Sequence, residues 1–125
     1  MWWISIGLMI IAGICNAVMD VLKTRYCASV FTGWNYQSWI NPSISWINKW
    51  KNGDASQGES FFGSSTFFVW ITDLWHLAKF LMLLGISFAI IFYHPIVAWY
   101  IDWFILYCCF TIPFEIFYSK VLIKN

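Results

Sequence analysis

Three apolar stretches set the pattern of the chain. Met1–Leu22, Phe67–Tyr93 and Ile96–Tyr118 run almost without charge, and one long polar segment separates the first from the second. A helix that crosses a bilayer needs about 20 apolar residues, so each stretch predicts a span. The expected fold is an all-α integral membrane protein, a single membrane domain over residues 1–125. Its spans are placed at about 2–22, 67–93 and 96–118, with a loop over 24–65 that carries a short interfacial amphipathic helix.

The second stretch is too long for a simple span. As one helix, residues 65–93 would measure about 43 Å at 1.5 Å per residue, against a hydrocarbon core of ~30 Å. Asp73, His76 and Lys79 all fall in its first half. The expectation is therefore a helix that starts at the hydroxyls of Ser64, Ser65 and Thr66, keeps its first turns at the interface and lets Lys79 snorkel. Tyr93-His94-Pro95 reads as a tight turn, with proline in the first turn of the third helix. Pro113 should bend that helix or end it early.

The loop has an unusual texture. Trp34, Tyr36, Trp39, Trp46 and Trp50 alternate with Asn, Ser, Gln and Lys, which suits a segment in the headgroup layer. Within it, residues 41–51 read as a helix, with Asn41 as N-cap, Pro42 at the first position, and Trp46 and Trp50 on one face. Asn52-Gly53-Asp54 then stops it.

Composition excludes a water-soluble domain. Residues are 61% hydrophobic and 22% aromatic in a chain of 125, more apolar surface than so small a core can hide. The net charge of +1 gives no reason to expect nucleic acid. The partition of charge is informative. Lys23, Arg25, Lys49, Lys51, Lys120 and Lys124 lie in the first connecting segment or the C-terminal tail, and the 93–96 link has none. Basic loops stay in the cytoplasm, which predicts a multi-pass protein of a bacterial inner membrane or plasma membrane, N-terminus out and C-terminus in. Residues 1–15 lack the basic n-region and cleavage site of a signal peptide, and Met1–Leu22 reads as a retained anchor. Cys15, Cys27, Cys108 and Cys109 do not make a disulfide framework, since adjacent cysteines on one helix bridge only under strain.

Ionisable groups at membrane depth are the natural pointers to a site. Asn16, Asp20 and Lys23 share one face of the first helix, and Asp73, His76 and Lys79 one face of the second. Glu115 lies at the same depth on the third. In one reading these groups pair with each other (Asp20 with Lys79 or Lys23, Asp73 with His76 or Arg25) and fix helix register. In the other, Asp20, Asp73, His76 and Glu115 converge on a pocket for a metal, a headgroup phosphate or a relayed proton. One histidine among carboxylates is a poor metal set, so no metal or cofactor is expected. For a headgroup, Lys23, Arg25, Lys49 and Lys51 are candidate contacts, as are Ser64 and Ser65 through free backbone N–H groups at a helix start. Asp102 has no basic partner at its depth, and pairing with Asn, Ser or Tyr, or protonation, is expected.

The block Ser45-Trp46-Ile47-Asn48-Lys49-Trp50-Lys51-Asn52-Gly53-Asp54, continuing through Gly63-Ser64-Ser65-Thr66 to Thr72-Asp73-Leu74-Trp75-His76, resembles one in uncharacterised small integral-membrane proteins of bacteria and their phages. The resemblance implies a membrane location and no particular chemistry. HExxH, GxSxG and phosphate-loop signatures are absent. The expected role is a small membrane subunit, adaptor or structural component that acts on membrane lipids and in a homo-oligomer or larger membrane complex. The alternatives are a holin-like pore former, or a lipid-headgroup, ion-binding or catalytic site at the inner leaflet.

Overall fold

The first apolar stretch forms one helix, α1 (Trp2–Thr24), with no proline to interrupt it and Lys23 in its last turn, where a cation suits the helix dipole. The computed structural model describes residues 1–124 and is all-α, with two more long helices, α4 (Leu74–Ile91) and α5 (Trp99–Ile116). All three are long and apolar enough to cross a membrane. Between α1 and α4 lie two short helices, α2 (Gln37–Ile40) and α3 (Pro42–Ser45), and several 3₁₀ turns.

α1 is the middle helix. It packs along both α4 and α5, which scarcely touch each other. Small residues make this possible. Gly85 of α4 lies against the Leu8 carbonyl and Ala12, and Gly13 of α1 lies directly under the Phe110 carbonyl of α5. Ser5 Oγ donates to the Ala89 carbonyl at 2.9 Å, joining α1 to α4 through a buried bond. Without a hydrophobic force between helices in lipid, close backbone approach and such bonds are what hold spans together. The pairs run antiparallel for α1 and α4 (Ser5 with Ala89, Ala12 with Gly85) and parallel for α1 and α5 (Gly13 with Phe110, Thr24 with Tyr118). One end of the bundle therefore carries Lys23, Arg25 and Lys120, and the other Trp2, Trp3, Tyr93 and Trp99.

The loop folds back over the basic end. Phe31 and Ile40 join Ala17, Val21 and Leu22 of α1 and Leu122 of the tail in one buried cluster, flanked by Trp39, Leu74, Trp75, Phe114 and Phe117. Val30 N donates to the Leu122 carbonyl and Lys124 N to the Ala28 carbonyl, so the tail pairs with the loop. Asn48 Nδ2 bridges the carbonyls of Ser38 and Thr72 at 2.8 and 2.9 Å, and Trp39 Nε1 reaches that of Ile71 at 2.9 Å.

Several element boundaries differ from those the sequence predicts. α4 starts at Leu74, well after Ser64–Thr66, because Asp73 is extended and caps it, accepting from His76 N at 2.8 Å. Residues before it form turns around Gly63, whose φ of +78° ends any helix there. α5 starts at Trp99, after Pro95, because Asp102 reaches back to the N–H groups of Ile96 and Val97 at 2.9 Å each and keeps them outside the helix. Pro113 stays inside α5, which runs to Ile116 and widens into a π turn over Phe117–Val121. The helix expected over 41–51 begins as expected, with the Asn41 side chain accepting from Ser43 N and Pro42 next. It tightens to 3₁₀ at Trp46–Lys49 and ends at an extended Trp50, so Trp46 and Trp50 do not continue one α-helical face.

Candidate functional site

The clearest site lies where α1 ends, α3 passes and α4 begins. Lys23, Pro42, Ser43, Ser45, Trp46, Asp73, Trp75 and His76 line a pocket of about 430 Å³. Asp73, one of the lining residues, is almost wholly buried. Its two oxygens lie 3.0 and 2.8 Å from His76 Nδ1, and Thr72 Oγ1 donates to one of them at 3.4 Å. A carboxylate only accepts, so Nδ1 carries a proton and Nε2 is the nitrogen left for a visitor. The i, i+3 spacing of Asp73 and His76 predicts one helix face. Its structural meaning is a cap that also orients an imidazole.

Most of the other expected partners stay apart. Asp73–His76 is the one acid–base contact among the described residues, so Asp20 bonds neither Lys79 nor Lys23, and Asp73 does not reach Arg25. Asn16 and Asp20 are half-buried on α1, and Glu115 is exposed on α5. The expected convergence of Asp20, Asp73, His76 and Glu115 reduces to its central pair. Lys79 lies with Nζ 5.5 Å from the Trp75 ring centroid, and Lys49 sits 5.9 Å from that of Trp50. Arg25 covers the Tyr118 ring at 5.1 Å. Lys51 is exposed. Among the described residues no three His, Cys, Asp or Glu side chains gather as metal ligands.

The expected headgroup contact at Gly63-Ser64-Ser65 is already filled from within. Glu59 accepts from Gly63 N at 3.0 Å, from Ser65 N at 3.3 Å and from Ser65 Oγ. Ser64 is buried and its Oγ donates to the Lys49 carbonyl at 2.6 Å. The turn thus binds an anion, but the anion is the chain's own carboxylate. The Ser65 hydroxyl first, and then the Gly63 amide, hold the Glu59 carboxyl below the ordinary range.

At the opposite end, Asp102 is also self-contained. Besides Ile96 N and Val97 N it accepts from Tyr93 Oη at 2.5 Å, the tyrosine partner expected of it. Beside it, the gap between α4 and α5 forms an apolar cleft of about 690 Å³, floored by Met9 and walled by Ile86, Ile90, Trp103 and Phe110. Compared with protein-family models, with curated proteins and with solved structures, the chain matches none.

Sequence reasoning found Lys23, Asp73 and His76 but missed Ser43, Ser45, Trp46 and Trp75 as their neighbours. The missed signal is Asp73 itself: a carboxylate directly before an apolar run is a helix N-cap. Starting α4 there moves the polar pair from about two to three turns inside a helix to its very first turn.

Proposed function

We propose that this chain is a three-span protein of a bacterial inner membrane or plasma membrane, N-terminus out and C-terminus in, serving as a small membrane subunit or adaptor through lipid and helix contacts. The observation that carries the reading is the outer surface of α4 and α5. Leu83, Ile90 and Ile91 on α4, and Trp99, Trp103, Phe104 and Tyr107 on α5, are exposed, while the packed faces are built from Ala, Gly and Ser. Such an inside-out distribution is unfavourable in water and suits lipid. The basic end with its aromatic loop then lies at the cytoplasmic headgroup layer, and the Trp2/Trp3/Tyr93/Trp99 end at the outer interface. α3 and the 3₁₀ turn after it, with Ile44 and Trp46 exposed, form the interfacial segment.

The subunit reading is supported by how little of α5 is covered, since one helix neighbour leaves most of its circumference open to lipid or to a further helix. A second copy or a larger membrane complex completes it. A pore has less support, because Asp102 has its oxygens engaged within its own turn and offers no charge to a lumen. The test is gentle detergent extraction from native membranes followed by mass measurement. A defined assembly larger than the 14.7 kDa chain is expected. A homogeneous monomer would reject the subunit role and leave the membrane location standing.

A further inference from the structure

We propose that the pocket between α1, α3 and α4 binds a phosphate group, with Lys23, Ser45 and His76 as its contacts. Ser45 supplies the decisive observation. It is only 2% exposed, yet its hydroxyl has no hydrogen-bond partner among the described residues. Among the described residues no sealed side-chain polar atom lacks a partner. The small exposed remnant of Ser45 therefore includes Oγ, and it opens on the pocket that Ser45 lines. A hydroxyl that opens on a cavity wall without a partner in its own fold is free to bond whatever enters the cavity.

The rest of the wall matches one chemistry. Among the described residues Lys23 brings an ammonium with no carboxylate partner, and Ser43 adds a second hydroxyl with no hydrogen bond of its own. The one acid present, Asp73, has its oxygens occupied by His76 N, His76 Nδ1 and Thr72 Oγ1. The pocket therefore offers an ammonium and two hydroxyls as donors and leaves no carboxylate oxygen without a partner, an inventory that an oxyanion can complement. His76 Nε2 donates to a phosphate oxygen as imidazolium and accepts from a hydroxyl when neutral. At about 430 Å³ the space exceeds one phosphate and leaves room for a glycerol unit, with Pro42, Trp46 and Trp75 as the apolar side toward an acyl chain. The inference rests on the membrane reading only for the source of the phosphate: in a bilayer the pocket mouth lies at headgroup level.

The experiment uses the full chain in phosphatidylcholine vesicles with acyl-chain spin-labelled phosphatidic acid or phosphatidylcholine as probe. Flotation is read first, and a chain that does not float with the vesicles rejects the membrane reading alone. Binding of glycerol 3-phosphate in detergent, followed through Trp46 and Trp75 fluorescence, then tests the pocket without a bilayer. In vesicles, wild-type protein is expected to restrict phosphatidic acid about tenfold more than phosphatidylcholine, the scale of one charge-assisted contact. K23Q and S45V should each bring that preference close to unity, and the K49Q/K51Q double variant should leave it within about twofold. Inorganic phosphate that displaces the labelled lipid identifies free phosphate as the occupant, and failure to displace it identifies the headgroup. Equal preference in wild type, K23Q and S45V, or loss only in K49Q/K51Q, would overturn the site.

Discussion

Gly13 is where the packing of the bundle is least forgiving. A Cβ built on it would sit 2.1 Å from the Phe110 carbonyl oxygen and 3.0 Å from the carbonyl carbon. An ordinary contact is 3.4 Å or more, so the shortfall is about 1.3 Å, and the obstacle is backbone, which cannot rotate away. Gly13→Ala must therefore push α5 off α1. Two effects compete: alanine gains about 1 kcal/mol of helix propensity over glycine, and overpacking costs about 1–3 kcal/mol, with a backbone clash at the upper end. The net expectation is a loss of about 1–2 kcal/mol. Two other glycines calibrate it. A Cβ at Gly7 meets nothing within 4 Å, and at Gly85 it comes 3.2 Å from the Leu8 carbonyl. Gly7→Ala should be neutral or stabilising, Gly85→Ala intermediate and Gly13→Ala the most damaging. Thermal unfolding in one detergent ranks the three, and spin labels on α1 and α5 report the separation. If Gly13→Ala is as well tolerated as Gly7→Ala, with no change in separation, the α1–α5 contact has been placed wrongly.

Other consequences are as direct. Asp73→Ala removes the α4 cap and should cost about 1 kcal/mol, while Asp73→Asn, which still accepts from His76 N, should cost less; thermal unfolding of both variants checks the order. Asp102→Ala leaves Ile96 N, Val97 N and Tyr93 Oη without their acceptor, so hydrogen exchange at residues 96–99 should accelerate while α1 is unchanged. Asp54 and Glu59 are held below the ordinary carboxylate range, chiefly by the hydroxyls of Ser56 and Ser65. Depressed folded values mean that the unfolded loop binds more protons, so their stabilisation is complete above the ordinary values and fades as pH falls through the lowered ones. Amide protection factors at Ser56 and Gly63 should therefore drop below about pH 4, and Glu59→Gln should remove the pH dependence at Gly63.

The long-range frame was readable because burial in lipid leaves a coarse signal: α1 follows its apolar stretch to within two residues, and an all-α fold with three spanning-length helices needed only composition. Boundaries were harder, since capping residues compete. Ser64, Ser65 and Thr66 offer hydroxyls as good as any N-cap, but Gly63 takes a left-handed turn and Glu59 occupies the neighbouring amides, so the helix waits for Asp73. Asp102 is a similar case. Its carboxylate reaches back to the N–H groups five and six residues earlier, delaying α5 past Pro95. The candidate site was half legible. Helical spacing linked Asp73 to His76, yet no periodicity brings Ser45 beside Lys23. That proximity comes from the loop folding onto the bundle end through Phe31, Ile40 and Asn48.

The central claim is a membrane protein with its aromatic loop in the cytoplasm and the 93–98 turn outside. Single cysteines at Ser56 and His94, each in a chain whose four native cysteines are replaced, test it through labelling with a membrane-impermeant maleimide. Both positions are exposed. The account predicts that H94C reacts in intact cells and that S56C reacts only after the membrane is opened. Labelling of S56C from outside intact cells, with H94C protected, would contradict it.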